Sequence, residues 1–323
     1  MFPLQSGMPP ASAPCAPAQP RRRHCLTLGL AGWLADGLSG SAAQAANVPV
    51  IRYPAPQSPL DTRSLDLISL LEAALRRTEA THGPVRLQPT YEVLTELRQF
   101  AELDADRGIL HVTWATVSAE RRTLAKAIPF DARHGLLGLR IALVDERRLP
   151  DIAKIRDLAA LQRLTIGQGL AWPDVDVLRA SGIKVQTVSG YENLFRMLMA
   201  GRFDLFPRGV GEVFDEYEAR HAQMPRLAID PHLLLVYPYP YQYYFAPSQS
   251  ALAARVEKGL LAMKADGSFD AHLWRFHGTA VARARLQDRL ALRLTNPNVG
   301  PEAERALEAT LAFWRKPPPT QKR

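Results

Sequence analysis

Gly108-Ile109-Leu110-His111-Val112-Thr113 runs directly into Trp114-Ala115-Thr116-Val117-Ser118-Ala119-Glu120-Arg121, and Ala127-Ile128-Pro129-Phe130 follows shortly after. The first six residues read as a strand opened by Gly108, and the next eight as a strand end turning into a helix. Upstream, Val48 to Tyr53 predicts a strand and Pro54 to Arg63 a proline-rich loop. Ser64 to His82 reads as a helix, with Leu67, Ile68, Leu71 and Leu75 at amphipathic spacing and Ser64 as N-cap. Val85 to Leu87 is a second strand. Tyr91 to Leu103 is a second helix, with Val93, Leu94, Leu97 and Phe100 on one face. A β-α-β-α-β rhythm implies a mainly parallel sheet with helices on its faces.

Downstream the rhythm repeats. Strands are expected at Leu139 to Val144, Leu164 to Gly167, Lys184 to Val188, Phe203 to Phe206, Leu233 to Tyr237 and Tyr241 to Ala246. Helices are expected at Asp174 to Ala180, Tyr191 to Ala200 (Leu194, Met197 and Leu198 inward), Val210 to His221, Ala251 to Lys264 and Phe269 to Phe276. The first and fifth of these strands suit two crossings between lobes. From Arg283 onward the chain carries Asn296-Pro297-Asn298, a helix at Glu302 to Trp314 and a basic, proline-rich tail.

The chain has 323 residues, 47% hydrophobic and 22% charged, which suits a soluble globular protein of more than one lobe. Its formal charge of +8 falls to +6 without residues 1–46, and no Lys/Arg run after the N-terminus makes a nucleic-acid stripe. Cys15 and Cys25 are the only cysteines. Arg21-Arg22-Arg23, a short apolar stretch from Leu26 to Leu38 and Ala43-Gln44-Ala45 predict an export signal cleaved near Ala45, by the Sec or the Tat route. The mature chain then has no thiol and no disulfide, and its location is periplasmic. The histidines show no HxH or HExxH spacing, so no metal site is expected, and no GxSxG, Walker or GxGxxG motif occurs in context. No cofactor is expected.

The segment from Trp114 to Arg121 resembles the ligand loop of periplasmic solute-binding proteins of the polar-amino-acid ABC-transporter type. Ile166-Gly167-Gln168-Gly169 and Met199-Ala200-Gly201-Arg202-Phe203-Asp204 resemble two later segments of those proteins, in the same order. Within that group the chain looks closer to a poorly characterised proteobacterial branch. The residues carrying that likeness are 167–174, 201–209 and a Leu136-Leu137-Gly138-Leu139-Arg140 strand. The resemblance spans residues 48–278. It implies an α/β, two-lobed Venus-flytrap (type II periplasmic binding) fold, each lobe a mainly parallel sheet flanked by helices, joined by two crossing hinge strands. Lobe 1 is then 46–140 with 237–282, lobe 2 is 141–236, and 283–323 is a C-terminal extension.

By that resemblance Thr116 and Arg121 grip a ligand carboxylate, for which a planar guanidinium is suited. Where amino-acid binders place an aspartate for the ammonium, this chain has Pro207-Arg208-Gly209. Arg121 and Arg208 facing one cleft would favour an anionic ligand, and Trp114, Trp172, Tyr191 and Asp174 complete the candidate ligand-binding set. Each also has a structural reading. Arg121 caps or bridges a helix, Thr116 ends a strand, and Trp114 and Trp172 belong to the core. Asp174 N-caps a helix, Tyr191 is a first-turn surface residue, and Arg208 pairs with Asp204 or Glu212. The tyrosines of Tyr237 to Tyr244 pack around the interlobe crossover. The functional expectation is a monomeric, non-enzymatic binding protein delivering its small solute to an ABC permease. The alternatives are a ligand sensor docking on a membrane signalling protein, a dehydratase-like enzyme using Glu120 and Glu212, and a degenerate binder without a small ligand.

Overall fold

The computed structural model describes residues 48–56, 61–170 and 172–316. The expected export signal therefore lies outside the described residues, as does the end of the basic tail. The first sheet collects β1 (Val50–Tyr53), β2 (Arg86–Pro89), β3 (Val112–Thr116), β4 (Lys126–Ala127) and a late strand, Tyr241–Phe245. β1 and β2 are parallel, and His111 donates its backbone N–H to Arg52 O, which lays β3 alongside β1. The late strand runs antiparallel between β3 and β4, with Thr116 opposite Tyr241. Helices α1 (Leu65–Arg77), α2 (Glu96–Ala105) and α3 (Ala119–Leu124) connect these strands.

The second sheet is built on β5 (Leu139–Asp145), whose residues are all buried. Then come β6 (Thr165–Gly169), α4 (Asp174–Ala180), β7 (Lys184–Val188), α5 (Tyr191–Met199), β8 (Phe206–Gly209), α6 (Val213–His221), β9 (Leu227–Ile229) and β10 (Leu233–Val236). β8, β9 and β10 all pair antiparallel with β5, while β6 and β7 are parallel to each other. Both sheets are thus mixed, because strands at the crossings enter reversed. The chain re-enters the first lobe as β11, the late strand Tyr241–Phe245, then forms α7 (Ser250–Ala265) and α8 (Ser268–Ala284). β12 (Leu290–Arg293) and α9 (Pro301–Trp314) end it. The described residues form one unit by contacts.

Local differences from the sequence reading have physical causes. The second helix starts at Glu96, not Tyr91, because the Thr95 hydroxyl caps it by accepting the Arg98 N–H. Leu94, Phe100 and Leu103 are buried in consequence, while Val93 and Leu97 are exposed. Ser64 stands at the N-cap position of α1 but makes no capping bond, since its hydroxyl accepts the Trp114 indole N–H at 3.2 Å. The third strand begins four residues after Gly108, whose φ of +73° turns the chain. The strand expected at Phe203 to Phe206 lies at Phe206–Gly209, with Leu205 contributing only a bridge to Ile166. Leu136–Gly138 is a 3-10 turn, and the strand starts at Leu139. The short helix expected at Phe269 to Phe276 runs through Ala284, across the expected boundary at 282, and β12 was not foreseen. Among the described residues no helix is long and apolar enough to cross a membrane, and no cluster of ligating side chains could hold a metal ion.

Candidate ligand cleft

Three of the candidate residues, Trp114, Thr116 and Arg121, lie where β3 ends, and none of them lines the cavity described below. Ser118 caps α3 by accepting the Arg121 N–H at 3.1 Å, placing Arg121 in the first turn with its side chain folded back on the strand. Arg121 Nη1 donates to Thr116 O at 2.7 Å and Thr116 Oγ1 at 2.6 Å. Tyr244 donates its hydroxyl to the same carbonyl at 3.2 Å, and the Phe100 ring lies 5.6 Å from the guanidinium carbon. The Arg121 side chain is 13% exposed, and its Nη2 forms an ion pair with Glu96, which is 51% exposed. Thr116 and Arg121, expected to grip a ligand carboxylate together, bond each other, and the carboxylate on the guanidinium is that of Glu96 on α2, as in the structural reading of Arg121 as a bridge to a helix. Trp114, on the same strand, is buried between Tyr53 and Tyr243.

A second group gathers on β8, of which Gly209 alone lines the cavity. Arg208 is buried, with Nε and Nη2 each donating to one oxygen of Glu216 at 2.6 Å, and with Glu212 3.2 Å from Nη2. Its guanidinium carbon lies 4.8 Å from the Trp172 ring centre and 5.1 Å from that of Phe206. Tyr191 donates to Glu216 Oε1 at 2.5 Å, and burial, then the Glu216 charge, pushes its phenol well above the ordinary value. A Cβ on Gly169 would meet the Trp172 ring at 2.5 Å, so glycine is required for the ring to lie there. Arg121 and Arg208 were expected to face one cleft as two available cations. Instead Arg208 is closed off by its carboxylates and aromatic rings. Its partner is chiefly Glu216, with Glu212 second, and Asp204 instead pairs with Arg148 at 2.8 Å.

A third group surrounds Asp174 and Arg140. Asp174 is not the N-cap of α4; Pro173 occupies that position. The buried Asp174 carboxylate accepts the Tyr237 hydroxyl at 2.5 Å and the Tyr239 hydroxyl at 2.7 Å, and Arg140 Nη2 lies 2.8 Å away. Arg140 also donates from Nε to Tyr237 at 3.0 Å, and its Nη1 is 3.6 Å from Glu212. Asp174, Arg140, Glu212, Arg208 and Glu216 thus form a continuous series of alternating charges behind the cleft. Burial alone would raise the Glu212 carboxyl, but Arg208, Arg140 and Arg133 bring it down to about 2.

A cavity of about 260 Å³ opens in front of this series. Arg63, Asp66 and Arg133 line it from the first lobe, and Gly209, Glu212 and Asp215 from the second. Arg133 clasps Asp66 at 2.7 and 2.9 Å, and His277 Nε2 lies 3.1 Å from the same carboxylate. Burial opposes the Asp66 charge, but the neighbouring Arg133 and the His277 bond hold its carboxyl well below the usual range. Sequence reasoning missed Asp66, Arg133, Glu216 and Arg140 as members of this region. The one local signal was a charged residue inside an apolar stretch, as at Arg140 in Leu139-Arg140-Ile141.

The chain is similar to periplasmic amino-acid-binding proteins. An ancestral arginine-binding protein bound to arginine is 17% identical, with 72% of this chain and 98% of that one covered and a TM-score of 0.49. A Salmonella typhimurium periplasmic binding protein with high arginine specificity is 13% identical, with 71% and 100% covered and a TM-score of 0.48. An ancestral amino-acid-binding protein that is a precursor of cyclohexadienyl dehydratase is 16% identical, with 71% and 95% covered and a TM-score of 0.47. No protein-family model matches the chain, and no curated protein matches it in sequence. The two-lobed architecture rests on the topology described above: β1-β2 and β3-β11-β4 in the first lobe, β6-β7 and the five-stranded sheet around β5 in the second, joined by a strand that starts at Leu139 and a segment that returns at Tyr241.

Proposed function

We propose that the protein is an exported, periplasmic binding protein that captures a small carboxylate-bearing solute between its lobes and presents it to an ABC-type importer. One observation carries this reading: Arg121 is held by Thr116 with one arm of its guanidinium, and its other arm grips a carboxylate that is half in solvent. A bidentate cation in a partly enclosed site suits carboxylate recognition. A solute carboxylate replaces Glu96 on Arg121. Closure of the hinge then encloses it.

Binding fits the cleft better than catalysis. Glu212, one of the two acids considered for a dehydratase, is held near 2, so at neutral pH it has no proton to give and is a weak base. Glu120, the other, is on an exposed helical turn.

The test is a thermal-shift screen of the purified protein against amino acids, dicarboxylates and other small anions, with Arg121→Ala in parallel. A ligand selective for the native state raises the melting temperature. The expected result is a carboxylate that stabilises the wild type and leaves Arg121→Ala unmoved. A correctly folded wild type that responds to no carboxylate, or a response retained in Arg121→Ala, refutes the assignment.

A further inference from the structure

Residues after Arg283 do not trail from one lobe. Helix α8 starts in the first lobe, where Phe269 packs on Phe130 at 4.9 Å and His272 Nε2 bonds Asp66 O at 2.9 Å. It ends against the second lobe, where Arg283 pairs with Glu218 at 2.6 Å and lies 4.4 Å from the Phe214 ring centre. Arg285, with φ of +50°, stops the helix. Arg289 then donates to Asp230 O at 2.6 Å and Leu233 O at 3.1 Å, aligning the chain for β12. β12 adds a parallel strand to the second sheet in register Leu233 with Leu290 through Val236 with Arg293. Leu292 and Leu294 are buried in that lobe's core.

The chain next returns to the first lobe. Buried Asn296 donates from Nδ2 to Pro238 O at 2.8 Å, on the segment that crosses back. Helix α9 then buries Leu307, Leu311 and Trp314, and Trp314 Nε1 donates to His134 O at 2.8 Å. Thr310 lies so close to Gly135 that a Cβ there would meet it at 2.5 Å. Trp314 also packs on Trp274, at 5.2 Å between ring centres. Each of the two crossings is thus covered: the outgoing one, at Gly135 to Leu139, by α9, and the returning one, at Val236 to Pro238, by β12 and Asn296.

A hinge moves by changing φ and ψ at a few residues between rigid elements. Here those residues are hydrogen-bonded and packed against one continuous segment anchored in both lobes. We infer that residues 285–316 are a hinge splint that fixes the angle between the lobes and limits their opening. The inference does not depend on the identity of any solute.

The experiment uses the full chain with Cys15→Ser and Cys25→Ser, and spin labels at Glu72→Cys in the first lobe and Arg179→Cys in the second, both exposed. Pulsed dipolar distances are compared with and without Trp314→Ala or Asn296→Ala, alongside hydrogen exchange at the Tyr237 amide, which bonds Gly138 O at 3.1 Å. Release of the splint broadens the distance distribution toward longer values and accelerates Tyr237 exchange by about tenfold or more, the equivalent of about 1.4 kcal/mol. If Trp314→Ala does not fold, Asn296→Ala, which removes the donor to Pro238 O and the acceptor of the Asn298 N–H, decides alone. Folded variants with unchanged distances and unchanged exchange overturn the inference.

Discussion

Arg121 and Arg208 have the same charge and both are paired with a carboxylate, yet their surroundings differ. Arg208 is 5% exposed at the side chain and its chief partner Glu216 is 8% exposed, so neither can exchange its partner for water. Arg121 is nearly as enclosed, but its partner Glu96 reaches it from solvent. A buried pair is costly to break because it leaves an unpaired charge in a medium that solvates it poorly. An exposed partner is held by little and readily replaced. The accessibility of the partner, more than that of the arginine, decides which cation can serve a ligand. By this criterion the second-lobe arginine belongs to the scaffold, and the first-lobe arginine is the one we propose for recognition.

The largest expected effect is on the scaffold side. Glu216→Ala leaves Arg208 with Glu212 alone and Tyr191 without its acceptor, and is expected to cost about 3 kcal/mol in urea unfolding. A loss below about 1 kcal/mol would remove the distinction between the two arginines. Acid is the next probe. Glu212 titrates near 4.5 when unfolded and near 2 when folded, so its stabilising contribution is complete above 4.5 and disappears as pH falls toward 2. That shift amounts to on the order of 3 kcal/mol. Glu212→Gln is expected to flatten the stability profile over this window, and an unaltered slope there contradicts the charge series.

Trp114→Phe, which keeps the ring packing and removes the indole donor to Ser64, is expected to cost about 0.5–1.5 kcal/mol. The smallest change belongs to Glu96→Gln, expected within about 1 kcal/mol of wild type in the absence of ligand. The same variant sharpens the comparison. With a carboxylate ligand identified by thermal shift, calorimetry is expected to show tighter binding to Glu96→Gln than to wild type. Weaker binding would make Glu96 a partner of the ligand instead of a competitor.

The parts of the molecule legible in the sequence were those whose causes are local. Asp174–Ala180 and Lys184–Val188 coincide with their expected limits because turn residues bracket them. Arg121 and Thr116 were singled out together, and one short turn does bring them into contact, with Arg121 donating to Thr116. Tyr91 and Val93 extended an apolar period that Thr95 interrupts, and the capping hydroxyl, not the periodicity, sets where the helix begins. The strand at Phe206–Gly209 was displaced because Phe203 and Leu205 are apolar for burial, whereas the ladder to β5 uses Pro207 and Arg208. Distant partners left no trace: Asp174 is satisfied by Tyr237 and Tyr239, and Asp66 by Arg133, through contacts that only the folded chain creates. β12 is four residues long and its alternation is incomplete, so its strand character comes from the neighbour it joins.

The position of β11 bears on the order in which this protein can be built. Thr116 pairs with Tyr241, and Trp114 with Tyr243, so the sheet of the first lobe lacks its central strand until the whole second lobe has been made. β5 through β10, by contrast, are contiguous and find their partners among themselves. A chain emerging from its N-terminus therefore holds β3 unpaired on that side through most of its synthesis or passage. A chain arrested before Tyr241 leaves β3 and β4 without the strand that joins them, and so presents open sheet edges to other unfolded chain.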